Sequence, residues 1–132
     1  MSVRYRRVNY QYAVSTGAGW LTYSSRAIAP ARWRPPADLV ETAHEVEITV
    51  EIPGVEEDDL SIILFENAVV VEGERRRPSH SADCRFHSAE IKYGPFRLEV
   101  SIPGTLHADR VIAEYTTGML RIVVPRPAAG TA

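Results

Sequence analysis

Apolar and polar residues alternate most strictly in Glu45-Val46-Glu47-Ile48-Thr49-Val50-Glu51-Ile52, where every second side chain is apolar. A period of two puts those apolar side chains on one face of a β-strand and leaves the other face to water. Pro53-Gly54 ends the strand, and Val55-Glu56-Glu57-Asp58-Asp59 follows as an acidic connection. Leu60-Ser61-Ile62-Ile63-Leu64-Phe65 predicts the next strand, with Leu60, Ile62 and Leu64 on one face and Ile63 and Phe65 on the other, so both faces are sticky. Glu66-Asn67 turns the chain into Ala68-Val69-Val70-Val71-Glu72-Gly73-Glu74-Arg75, the return strand of a hairpin. Alternation resumes in Phe96-Arg97-Leu98-Glu99-Val100-Ser101-Ile102, ahead of Pro103-Gly104. Residues 111–115 and 119–124 predict a last pair of strands around the turn residues Thr116-Thr117-Gly118. Residues 33–42 read as an entry strand, which Pro35 and Pro36 confine to a sheet edge.

Short strands separated by turn signals at roughly 8 to 12 residue spacing predict an all-β sandwich, and no segment holds a helical period beyond about one turn. Two regions fall outside the pattern. Residues 1–32 mix Arg4, Arg6 and Arg7 with Tyr5, Tyr10, Tyr12, Trp20 and Tyr23 and show no clean periodicity. They form an irregular, basic and aromatic N-terminal region, too aromatic for an inert linker. Residues 76–94 are polar, with Phe86, Ile91 and Tyr93 as their larger apolar side chains. A connection longer than about 12 residues usually carries a function or is disordered, and both readings stay open at this point.

The chain has 132 residues, room for one domain with a single core, and its formal net charge of −2 argues against a general polyanion binder. Its one cysteine, Cys84, cannot form an internal disulfide, so a reducing cytoplasm is the expected setting. No apolar run approaches the roughly 20 residues that span a bilayer, and the basic start leads into no apolar segment of signal-peptide type.

The stretch Ala113-Glu114-Tyr115-Thr116-Thr117-Gly118-Met119-Leu120 resembles the signature of the small heat-shock protein (alpha-crystallin) family, an Ala, four residues, then Gly-x-Leu. The resemblance extends in family order through Asp38-Leu39-Val40-Glu41-Thr42, Val50-Glu51-Ile52-Pro53-Gly54-Val55, Leu60-Ser61-Ile62, Val71-Glu72-Gly73-Glu74-Arg75 and Ser101-Ile102-Pro103. It implies an immunoglobulin-like antiparallel sandwich over residues 33–125, with a tail over 126–132. It also implies an ATP-independent holdase, not an enzyme, that works without a cofactor and captures partly unfolded client proteins.

By this resemblance the client groove lies between the strand carrying Leu60, Ile62 and Leu64 and the strand carrying Val111, Ala113 and Tyr115, where β-augmentation would hold an extended segment. From the residues alone these six could equally be ordinary core. The resemblance makes the segment with Phe86, Ile91 and Tyr93 a strand that crosses to a second copy, building a homodimer by strand exchange. Gly118 and Leu120 are the structural motif, the first needing a backbone that a Cβ disfavours and the second pointing into the core. Tyr5, Tyr10, Tyr12 and Trp20 are a second candidate client surface, broad enough to pack in several ways; a role confined to self-assembly or to covering Ile63 and Phe65 is the alternative. Two departures stand out. The family often has an arginine where Leu98 stands, with Arg97 one place earlier here, and the tail Arg126-Pro127-Ala128-Ala129-Gly130-Thr131-Ala132 lacks the Ile-x-Ile that fills a neighbour's groove. A dimer or small oligomer is therefore expected, with an accessible groove unless the N-terminal segment around Ile28 fills it.

Other chemistry fares poorly. His80, Asp83, Cys84 and His87 match no standard zinc spacing, and Ser79, His80 and Asp83 lack the rigid scaffold and oxyanion hole of a catalytic triad. No Gly-rich phosphate loop with a lysine is present. Arg75-Arg76-Arg77 and the N-terminal arginines beside tyrosines suggest an RNA-binding module as a lesser alternative, opposed by the near-neutral balance and the acidic run 56–59. An adaptor sandwich that recognises one folded partner is the other alternative.

Overall fold

The strict alternation of residues 45–51 folds as a strand whose Val46, Ile48 and Val50 are fully buried. The computed structural model describes residues 32–126 and, before them, the backbone of two short strands. In chain order the strands are β1 (Val3–Tyr5), β2 (Gln11–Tyr12), β3 (Ala37–Glu41), β4 (Glu45–Glu51), β5 (Leu60–Leu64), β6 (Ala68–Arg75), β7 (Gly94–Ser101), β8 (Ile112–Thr116) and β9 (Met119–Pro125). One 5-stranded sheet has the order β1-β8-β9-β4-β3, and one 4-stranded sheet has the order β2-β5-β6-β7. The helical content among the described residues is two single 3-10 turns, Glu57–Asp59 and Ala108–Arg110.

The inner faces of the two sheets share one apolar cluster, to which Val46, Ile48, Val50, Ile62, Leu64, Val69, Val71, Phe96, Leu98, Leu120, Ile122 and Val124 contribute. Trp33 packs against this cluster, meets the Phe96 ring at a 56° tilt with centroids 5.4 Å apart, and bridges to its backbone. The entry segment is therefore shorter as a strand than the sequence suggests: β3 starts at Ala37, after Pro35 and Pro36, whose missing N–H groups cannot join a ladder. Proline still leaves a usable acceptor, since the Glu51 N–H donates to the Pro36 carbonyl at 2.9 Å.

The β8–β9 hairpin turns on Thr117 (φ +55°) and Gly118 (φ +80°), two successive left-handed residues, the pattern of a type I′ turn that matches strand twist. Glycine is needed at 118 twice over. Its φ of +80° disfavours any side chain, and a Cβ there would lie 2.7 Å from the Pro53 Cβ; its carbonyl, as any residue's could, accepts the Ile52 N–H at 2.8 Å. The turn is thus packed directly on the end of β4, and Leu120 follows it fully buried. Gly73 serves close approach of another kind, because a Cβ there would sit 2.2 Å from the Asp59 carbonyl oxygen and 2.5 Å from the Phe96 ring.

Since Trp33 precedes β3 and bridges to β7, those two strands share one side of the sandwich, which leaves β8 and β5 together on the other. A single cross-strand row shows how the sides differ. Ala113, Ile122, Ile48 and Leu39 stand in register across β8, β9, β4 and β3. The first three are buried, whereas Leu39 is 45% exposed. The region of residues 1–32, aperiodic in sequence, contributes β1 and β2, the outermost strands beside β8 and β5.

Candidate functional site

The six residues assigned to a groove come together on the β5/β8 side. Ile62, Leu64, Val111 and Ala113 are buried within the core cluster, and Leu60 and Tyr115 are half-buried against it. Alternation along β5 and β8 turns them between the sheets, where they are interior side chains in this structure. Beyond them lie the backbone edges of β5 and β8, and both edges carry an added strand. β1 runs antiparallel to β8, with Val3, Arg4 and Tyr5 opposite Tyr115, Glu114 and Ala113. β2 runs parallel to β5, with Gln11 and Tyr12 beside Ile63 and Leu64. Neither edge is therefore open, and the strands that pair with them lie within residues 3–12; Ile28, the other segment proposed from sequence for this place, lies outside the described residues. Tyr5 and Tyr12 fall in those strands, while Tyr10 and Trp20 lie outside the described residues.

Tyr115 is tied in through its phenol, which donates to the Ile52 carbonyl at 2.6 Å. Burial pushes its pKa above the ordinary tyrosine value, against an opposing pull from the Val55 backbone. On the outer face of the larger sheet Arg121 holds Glu47 bidentately at 2.7 and 3.1 Å, and this hydrogen bonding lowers the Glu47 carboxyl.

Residues 76–93 contain no strand, and they are held against their own subunit by alternating arginines and rings. The Arg75 guanidinium lies 4.5 Å from the Trp33 ring centroid and 5.6 Å from that of Tyr93. Arg77 lies 4.8 Å from Tyr93 and 5.1 Å from Phe86, and His80 meets Phe86 edge-on at 5.4 Å. Arg75 also donates to the Lys92 carbonyl at 2.9 and 2.6 Å and to the Pro53 carbonyl at 3.2 Å. Of the three apolar residues assigned to exchange, Tyr93 is half-buried in this stack, whereas Phe86 and Ile91 are 54% and 62% exposed. The stack was missed in sequence; its one cue was a Trp, a Tyr and arginines converging on the ends of predicted strands.

The same contacts bear on the basic run. Arg76 grips Asp59 through two hydrogen bonds of 2.8 and 2.9 Å, which hold the Asp59 carboxyl below its ordinary value. With Arg75 and Arg77 stacked on rings, all three arginines have partners inside the chain. Arg97, one place from the family's usual position, pairs with Glu72 at 3.1 Å and Glu99 at 3.3 Å, and Arg32 reaches the same Glu72 at 3.0 Å. Among the described residues no group of three or more His, Cys, Asp or Glu is arranged to hold a metal ion. No described helix is long and apolar enough to cross a membrane, which leaves membrane-crossing strands unaddressed.

The architecture is an all-β sandwich of alpha-crystallin type. A small heat-shock protein from Xylella fastidiosa superposes on 77% of this chain and 94% of its own with a TM-score of 0.66 and 28% identity. Residues 38–132 match the model of the Hsp20/alpha crystallin family, and the chain belongs to that family. It is 28% identical to small heat shock protein C4 of Rickettsia felis over 70% of this chain and 56% of that one. It is 35% identical to a 22.0 kDa heat shock protein of Arabidopsis thaliana over 75% of this chain and 49% of that one. The chain thus spans about half the length of the curated relatives it matches.

Proposed function

We propose that this chain is an ATP-independent holdase, non-enzymatic and cofactor-free, that binds extended apolar segments of partly unfolded proteins along the edges of β5 and β8. The observation that carries this reading is that both edges accept an added strand, one antiparallel and one parallel. Backbone pairing of that kind gives affinity with little dependence on sequence, as a binder of many clients requires. In this reading residues 33–125 are the working sandwich, residues 1–32 supply further client contacts through Tyr5, Tyr10, Tyr12 and Trp20, and 126–132 are a short tail; the cell compartment is the cytoplasm.

The second element of the proposal is a homodimer in which residues 76–94 cross to the β3 edge of a second copy. Supporting it, Leu39 and Val40 on β3 are 45% and 53% exposed, and Phe86 and Ile91 on the loop are exposed in turn, an apolar pair for each partner. Charge supports it as well. The loop carries Arg85 and Lys92, while β3 and β4 present Asp38, Glu45 and Glu51. The direct test is light scattering of a heat-labile enzyme at stoichiometric amounts of this protein. Suppression unaffected by nucleotide is expected; scattering unchanged at several-fold excess over a range of clients would sink the reading.

A further inference from the structure

Residues 76–93 leave and re-enter the sandwich at one place, because Arg75 and Gly94 are register partners at the ends of β6 and β7. Arg77 and Tyr93 stand beside that base in sequence, whereas Phe86 lies midway along the loop. Yet the Arg77 guanidinium is 4.8 Å from the Tyr93 ring centroid and 5.1 Å from that of Phe86, so one cation joins the middle of the loop to its base. His80 adds an edge-on contact to Phe86 at 5.4 Å. A separate set of contacts holds the base itself: Arg75 faces the Trp33 and Tyr93 rings and donates to the Lys92 and Pro53 carbonyls. We infer that Arg77 and His80 latch Phe86 in cis and thereby set how readily the chain self-associates. This rests on the proposed exchange dimer and adds its regulation.

To reach the β3 edge of a second copy, the middle of the loop must leave its own base, since a loop folded back cannot extend. Arg77 and His80 lose Phe86 in that step. The Arg75 contacts lie wholly within the base, so they persist as the hinge about which the loop swings. Closed and extended loops are then two states of one chain, and the affinity between copies is the intrinsic affinity scaled by the extended fraction. Both subunits of an exchange dimer extend a loop, so that fraction enters twice. An exposed cation–ring contact shifts such a balance by about two- to fivefold, which holds the loop closed in a lone chain without forbidding exchange. Leu39 and Val40 on the waiting edge, 45% and 53% exposed, offer the released ring an apolar alternative to the guanidinium.

The test uses the full chain, kept reduced so that the exposed Cys84 does not cross-link copies. Arg77→Gln removes the cation and leaves the Arg75 base intact. Two readouts are taken: the dissociation constant of self-association by sedimentation, and the rate of tryptic cleavage after the exposed Arg85 at a dilution where single chains prevail. Cleavage there follows the extended fraction whether or not copies pair. The variant should self-associate roughly fivefold more tightly or better, and be cut at Arg85 about two- to fivefold faster. Arg77→Lys, which keeps the charge but not the planar guanidinium, should fall between the variant and the parent. His80→Ala, which removes only the edge contact, should shift both readouts the same way by less. An unchanged dissociation constant, or cleavage no faster, in Arg77→Gln overturns the latch while the dimer stands. Single chains at every concentration in parent and variant alike overturn the exchange dimer, and with it the latch's role.

Discussion

On one side of the sandwich β5 and β8 are flanked by β2 and β1, and the side chains behind them are buried or half-buried; on the other, β3 and β7 end their sheets, with Trp33 reaching across among the described residues. The row Ala113, Ile122, Ile48, Leu39 runs from the first side to the second with the same inward orientation throughout, yet burial fails at its last member. Inward orientation alone does not make a core residue. A side chain at the last strand of a sheet needs something beyond it, and the chain supplies that on one side from its own N-terminus. The other side is left with an apolar edge of the kind another chain covers.

The same truncation on each side gives the sharpest contrast. Ile62→Ala, behind the closed edge, should cost about 2 to 5 kcal/mol in denaturant unfolding. Leu39→Ala should stay within about 1 kcal/mol for the single chain and weaken self-association instead, read by sedimentation. Equal losses from both would erase the distinction between the sides. Next in size, Gly118→Val forces a β-branched residue into φ +80° and drives its Cβ toward Pro53. Strain of that kind costs about 1 to 3 kcal/mol, and because the turn positions β8, thermal melts should fall. An unchanged melt would separate the turn from the closed side.

Alkaline pH probes the closed side through Tyr115. Burial raises its folded pKa, so its contribution is complete below the ordinary tyrosine value of about 10 and is lost as pH rises through the folded value. Tyr115→Phe should flatten that alkaline loss of stability. Acid acts elsewhere: Glu47 is lowered by Arg121, so what it contributes is present above the usual carboxylate range and lost as pH falls through its folded pKa. A Tyr115→Phe profile identical to the parent above pH ~10 would remove the phenol from the account. The smallest effect expected is a gain. Thr117 holds φ +55° with a β-branched side chain, and Thr117→Asn, suited to a type I′ turn, should raise stability by about 0.5 to 1 kcal/mol.

The elements with strong period were legible in sequence. β4 and β6 lie where alternation and apolar runs put them, and Gly118 and Leu120 stand in a hairpin because turn chemistry and flanking strands are local signals. β1 and β2 were not legible. Strands of 3 and 2 residues have no period to read, and they exist because distant edges need partners. The six groove candidates were identified as one constellation, but their burial was undecidable from alternation, which fixes a face and says nothing of what lies over it. Thr117 defies its own type, since a β-branched residue with positive φ breaks the propensity from which turns are read. Gly73 was within reach, as a glycine inside a strand points to close approach.

The Trp33 stack gives the protein an optical gauge of its own loop. Trp33 is one of 2 tryptophans, half-buried, its indole N–H donating to the Gly94 carbonyl at 3.2 Å and its ring facing the Arg75 guanidinium. Arg75 in turn is pinned by the Lys92 carbonyl at the far end of residues 76–93. An excursion that carries Lys92 away leaves the guanidinium with the Pro53 carbonyl as its remaining backbone acceptor and changes the polarity sensed by the indole. In a Trp20→Phe background the emission wavelength of Trp33 would then follow the loop in real time, with no dye attached.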